Sequence, residues 1–228
     1  MTKSTSETHN LHYLLRFRST LNNALITHPR TFAVRVDLRF PDGYCVDDNK
    51  AIEAFTPAIR SRLAAVFKRR KKKTPGKQVH SSDLHFIWVR ENNQCREKIH
   101  YHVLLMFNRD AFWRLGEYQK KGSLADLITQ AWLSALKLKG DEYRALVSFP
   151  ENPCYHLFRA KLGATNDCQA VFQRIDYMAK HRTKQYSNKV RTLGCSVSDS
   201  ETLDGEKTLK PAGKYHNEVS GNANASPF

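Results

Sequence analysis

The sequence contains no C-x-x-C pair, no apolar run of membrane-spanning length, no signal-peptide core, no lipidation signal and no internal repeat. Its five cysteines, at 45, 95, 154, 168 and 195, are odd in number and widely spaced. That pattern excludes a zinc-finger framework and a disulfide scaffold, and fits thiols kept reduced inside a cell. Without a spanning segment or leader, the chain is expected to be soluble and cytoplasmic. A P-loop G-x-x-x-x-G-K-[ST] is also missing, so a fused helicase is not expected. No RNP1-type K/R-G-F/Y-G/A-F-V-x-F/Y run is present, which disfavours an RRM-type RNA binder. Acidic residues are scarce. Asp and Glu total 22 against 37 Lys and Arg, a formal charge of +15. Such an excess points to a polyanionic partner, above all nucleic acid.

What is present reads as one domain over residues 10–190, with a flexible segment at 1–9 and a polar, disordered tail at 191–228. Leu11, Leu14, Leu15, Leu21 and Leu25 keep helical spacing over about 10–26. In "TFAVRVDLRF" (31–40), Phe32, Val34, Val36, Leu38 and Phe40 alternate with Arg35, Asp37 and Arg39, and "PDG" closes the strand. Thr56-Pro57 reads as the start of a second helix, with Ile59, Leu63, Val66 and Phe67 on its buried stripe. That helix runs into "KRRKKKTPGK" (68–77), a basic linker. "DLHFIWVRE" and "IHYHVLLMF" form a hairpin around "NNQCREK", and a strongly amphipathic helix from Leu124 to near Gly140 follows. "ALVSF" and "CYHLF" are two short strands, and a last helix spans about 168–184. The expected fold is α+β, a mainly antiparallel sheet covered by helices on one face.

Two imidazoles interrupt the most apolar strand. In "KIHYHVLLMFN" (98–108) His100 and His102 share one face, with Tyr101 on the other. Two nitrogen ligands on a rigid strand suit a metal ion. With ten histidines in 228 residues, a chance H-x-H pair on a half-exposed strand would look the same. A third ligand has to come from elsewhere. The residue opposite His100 in the hairpin comes from the end of the preceding strand, and Glu91 is well placed to be it, although a solvated glutamate beside a turn would look the same. Asp37 on the first strand is the competing carboxylate, unless it pairs with Arg35 or Arg39. Mixed nitrogen and oxygen ligation with open positions fits Mg²⁺ or Mn²⁺ acting on a phosphate better than structural zinc.

The last helix, in "CQAVFQRIDYMAKHRTKQY", carries Val171, Phe172, Ile175, Met178 and Ala179 on one arc. Its other arc holds Gln173, Arg174, Tyr177, Lys180, His181 and Lys184. Tyr177 therefore lies on the basic face with Lys180 at i+3. A phenol beside an ammonium is what a tyrosine nucleophile needs, because the cation favours phenolate and can contact a phosphate. A surface tyrosine among solvated lysines would show the same spacing. Arg174 and Lys184 extend this basic face as DNA contacts. Lys68, Arg69, Arg70, Lys71, Lys72 and Lys73 are expected to hold backbone phosphates. Trp88, Trp113 and Trp132 are candidates for base stacking, although Trp132 falls on the apolar stripe of its helix. His85 and His156 read as structural.

In combination, "IHYHVLL" with Glu91 upstream and "YMAK" at 177–180 resemble the HUH endonucleases. The likeness spans roughly residues 30–185. It is nearest to rolling-circle replication initiators of filamentous-phage (inovirus) type and to the YagK/YfjJ-like proteins of integrated bacterial elements. This resemblance implies a five-stranded antiparallel, RRM-like palm with the tyrosine helix beside the metal. It implies His100, His102 and Glu91 as ligands, Tyr177 as nucleophile and Lys180 as its assistant. It further implies nicking of single-stranded origin DNA in a bacterial or phage-infected cell, with a host helicase for unwinding. His181 stands where some members carry a second tyrosine, although Tyr186 lies further along. A catalytically decayed DNA-binding or regulatory protein of a mobile element, or a single-tyrosine transposase, would carry the same motifs.

Overall fold

The structure is a computed structural model and describes residues 10–93, 98–179 and 190–196. Helix α1 (Leu11–Thr27) begins where the Asn10 side chain accepts a hydrogen bond from the Tyr13 amide. Its buried stripe is Tyr13, Phe17, Leu21, Ala24 and Leu25. Leu11 and Leu15, expected in that stripe, are exposed. The two aromatic side chains take the core positions because they bury more apolar area per residue.

Strand β1 (Arg30–Arg39) leads into α2 (Lys50–Lys73), which starts earlier than Thr56-Pro57 suggests and carries Pro57 in its interior. Pro57 breaks one backbone hydrogen bond. Fully buried Ile52 and Phe55 anchor the turns ahead of it and carry the helix across. The basic run 68–73 is the last stretch of this helix, not a linker. β2 (His85–Asn93) and β3 (Lys98–Asn108) form the expected hairpin. α3 (Leu124–Ala135) is capped by Ser123, whose side chain accepts from the Asp126 amide. The short strands β4 (Val147–Ser148) and β5 (Cys154–Phe158) follow. α4 (Asn166–Met178) is capped by Thr165, and β6 (Leu193–Cys195) closes the described chain.

The six strands form one open antiparallel sheet in the order β4–β1–β3–β2–β6, with β5 also on β1. Helices cover both faces, not one. Against α2 and α3 lie Val34, Val36, Leu38, Trp88, Tyr101, Val103, Leu105 and Phe107. Against α1 and α4 lie Ala33, Ile87, Val89, Leu104 and Met106. This double coverage explains why β3 reads as a nearly continuous apolar run. Trp88 is core, as is Trp132, so neither can stack on a base. Only Trp113, 60% exposed with the Arg114 guanidinium over its ring, keeps that possibility.

Leu193–Cys195, which the sequence places in the tail, instead pair with Ile87, Trp88 and Val89 of β2. Residues 1–9, the rest of the tail, and Lys180, His181, Lys184 and Tyr186 lie outside the described residues. No helix among the described residues is long and apolar enough to cross a membrane.

Candidate metal centre

His100 and His102 project from β3 on the face of the sheet that packs against α1 and α4. The hairpin register sets Glu91 directly opposite His100, and the β1–β3 register sets Asp37 opposite His102. Glu91 and His102 are buried, while His100 is half-buried. His102 Nε2 lies 3.2 Å from Glu91 Oε2 and 3.2 Å from His100 Nε2. One ligand atom from each residue falls within 4.8 Å of the others, so Glu91, His100 and His102 form a group that could hold a metal ion. Atoms bound about 2.0–2.2 Å from one ion lie roughly 3 Å apart, so this spacing needs little rearrangement.

Glu91, not Asp37, completes the group. Asp37 acts one step back: its Oδ1 accepts a 2.7 Å hydrogen bond from His102 Nδ1, and Arg35 Nε lies 3.6 Å from the same oxygen. Arg39, the other cation offered to Asp37 by the sequence, makes no such pair among the described residues. A carboxylate that accepts from Nδ1–H fixes the tautomer and leaves Nε2 as the ligating nitrogen. Burial by itself would push the His102 imidazole down. Its hydrogen bonds to Asp37 and Glu91, with their charges, outweigh that and raise it to about 9. Burial acts on Asp37 in the opposite sense. The bond to His102 and the charges of His102 and Arg35 prevail, and the carboxyl is held below its usual range. These two carboxylates favour the protonated form of His102, and a metal ion at Nε2 would have to compete with that proton.

Tyr177 stands over this group. It is 42% exposed on α4, and its ring centroid lies 6.3 Å from that of His102 at a tilt of 71°. The apolar arc of α4, with Val171, Ile175 and Met178 buried, fixes the side it presents. Arg174 on the same helix is half-buried and its Nε donates to Tyr155 Oη at 3.4 Å. The basic run is not near this centre. The start of α2 sits by Tyr101, through Asn49, and its end by Ala111, whose carbonyl accepts from Arg70 Nη1 at 2.8 Å. From Tyr101 to Asn108 the sheet extends about 23 Å, and α2 lies on the opposite face. Lys68, Arg69, Lys71, Lys72 and Lys73 are exposed there. Arg70 is engaged in packing, its guanidinium 4.7 Å from the Phe112 ring.

The model of the YagK/YfjJ C-terminal domain matches residues 1–196. The chain belongs to this family. It is 35% identical over 207 residues to the uncharacterized protein YagK of Escherichia coli K12, covering 85% of this chain and 98% of the relative. It is likewise 35% identical over 196 residues to the uncharacterized protein YfjJ of the same strain, covering 81% and 93%. No solved structure is a significant match. The family match extends through β6, in keeping with the place of that strand in the sheet.

Sequence reasoning missed the orienting role of Asp37, because the contact depends on a strand pairing across some sixty residues of chain. It also missed Phe40 and Tyr44, whose rings stack beside the centre. The "PDGY" segment that bears Tyr44 reads only as a turn.

Proposed function

We propose that this member of the YagK/YfjJ family is a metal-dependent, HUH-type nicking endonuclease for single-stranded DNA. The observation that carries the proposal is the exposed Tyr177 ring beside the Glu91–His100–His102 group. In this reading Glu91, His100 and His102 would hold Mg²⁺ or Mn²⁺, and the ion would supply Lewis acidity to the phosphodiester. The Tyr177 phenolic oxygen attacks the phosphorus, and the bond from phosphorus to the 3′ oxygen breaks. The phenolic proton is passed on to the departing 3′ oxygen, giving a 5′-phosphotyrosyl protein and a free 3′-hydroxyl. The ester linkage is conserved, so a later 3′-hydroxyl can reverse the step without ATP. The free 3′ end suits rolling-circle replication of an inovirus-like or integrated element, with unwinding left to a host helicase.

The test is incubation with single-stranded DNA and Mn²⁺, followed by denaturing electrophoresis and peptide mapping. The expected result is a metal-dependent protein–DNA adduct on Tyr177 that disappears in Tyr177→Phe and His102→Ala. An adduct on Tyr186, or DNA binding with no adduct under any metal, would overturn this assignment.

A further inference from the structure

A cleft of about 790 Å³ opens against His100 and His102, on the side away from Glu91, and Arg39, Phe40 and Tyr44 line it. Its size is in the range of sites that enclose a small organic ligand, roughly 300–1,000 Å³. The floor is aromatic. Phe40 and Tyr44 are stacked, ring centroids 5.1 Å apart at 29°. Phe40 is wedged against buried Trp132 at 5.3 Å and buried Tyr101 at 5.9 Å. Trp132 Nε1 also donates to the Arg39 carbonyl at 2.7 Å, which pins the backbone just ahead of the platform. Tyr44 itself is 42% exposed. Arg39, opposite His100 in the β1–β3 register, is exposed, and its guanidinium has no partner among the described residues.

We propose that this cleft is a nucleobase subsite, in which the base next to the scissile phosphate stacks on Tyr44 while Arg39 contacts the adjoining backbone. This rests on the reading of the centre as a single-strand nicking site. Three features of the cleft select a nucleotide. A phosphate held at the His100–His102 wall leaves its neighbouring nucleoside at the mouth of the cleft. The platform offers a flat π-face, which any base can use, and no array of donors that would demand a particular one. An unengaged guanidinium beside an aromatic face suits the charge and geometry of a sugar–phosphate chain. Because the Phe40 side of the stack is already packed, ordering the platform costs little.

The experiment uses the full chain carrying Tyr177→Phe, so that covalent capture cannot mask equilibrium binding. Fluorescein-labelled oligo(dT) is compared with copies in which a single abasic residue is walked along the strand. Stacking is worth about 1–3 kcal/mol per base, so one position should weaken binding about tenfold when its base is missing. Tyr44→Ala and Tyr44→Leu should both erase the sensitivity at that position alone, and Tyr44→Phe should retain it. Thermal melting verifies that each variant is folded. If oligo(dT) binds but no position depends on Tyr44, the subsite is refuted while the nicking reading stands. If the protein binds no oligo(dT) at all, the nicking reading fails and the subsite with it. If adduct formation with Tyr177 restored is lost in Tyr44→Phe, the Tyr44 hydroxyl is a reacting group and the stacking assignment is wrong.

Discussion

Gly194→Ala is a direct test of β6, the strand that lies where the sequence reads as tail. In the β2–β6 register Gly194 faces Trp88. A Cβ added at Gly194 would stand 2.3 Å from Trp88 Cε2, 2.4 Å from Cζ2 and 2.5 Å from Nε1. Carbon atoms pack at about 3.5–4.0 Å, so ring or strand has to move by roughly 1 Å. The ring cannot easily yield, since Trp88 is 3% exposed and meets Tyr101 edge-on at 5.6 Å. Such overpacking costs about 1–3 kcal/mol, of which about 0.5–1 is returned by the lower chain entropy of alanine. The expected net loss is about 0.5–2 kcal/mol, or a fall in Tm of roughly 1–8 °C for a domain of this size. Thermal denaturation followed by circular dichroism measures it. Adding Trp88→Phe should make the alanine less costly than in the parent, because the clashing atoms belong to the larger ring. An unchanged or raised Tm for Gly194→Ala would mean that β6 does not lie on Trp88.

Three further expectations follow from the centre and the basic helix. The rise of His102 from 6.5 to about 9 stabilises the metal-free fold fully below pH 6.5 and is lost as pH climbs through 9. Urea denaturation in EDTA should therefore show stability falling across that window by up to about 3 kcal/mol, and His102→Gln should flatten the slope. Asp37→Asn, which weakens the acceptor on His102 Nδ1, should reduce Mn²⁺ affinity by at least about tenfold in calorimetry, and unchanged affinity would mean Asp37 does not orient the ligand. Arg70→Ala should cost about 1–2 kcal/mol of stability through its lost carbonyl bond and ring contact, whereas Lys71→Ala and Lys72→Ala should stay within about 0.5 kcal/mol. If the lysines hold single-stranded DNA, each replacement should also lower the salt slope of binding by about 0.7.

Local patterns carried the hairpin, the apolar strands and the amphipathic helices. The Glu91–His100 juxtaposition was legible because a hairpin turns sequence order into spatial register. Asp37 was not, since nothing within β1 says which strand it will pair with. Proline at 57 looked like a beginning because it favours the first turn of a helix, yet buried Ile52 and Phe55 outweigh the bond it removes. A run of six cations reads as a solvated linker, but Val66, buried just ahead of it, holds the helix to the sheet while Arg70 reaches back to Ala111. Leu193–Cys195 has too few residues for periodicity to register. Only the edge of β2 gives that segment a reason to be extended.

The contacts that tie α1 to the end of α4 and to the segment ahead of β6 have a consequence for the timing of synthesis. The Asn10 amide donates to the Ala179 carbonyl at the end of α4, and the Tyr13 hydroxyl meets the Thr192 side chain. Contacts joining residues so distant along the chain close the largest loops in the domain and form late in folding. A nascent chain that ends before residue 166 can already pair β1, β2 and β3 and bring His100, His102 and Glu91 together. It does so without the tyrosine helix seated over them. The fold therefore assembles the Glu91–His100–His102 group before Tyr177 is seated beside it, and a product truncated ahead of α4 would carry that group while lacking the phenol.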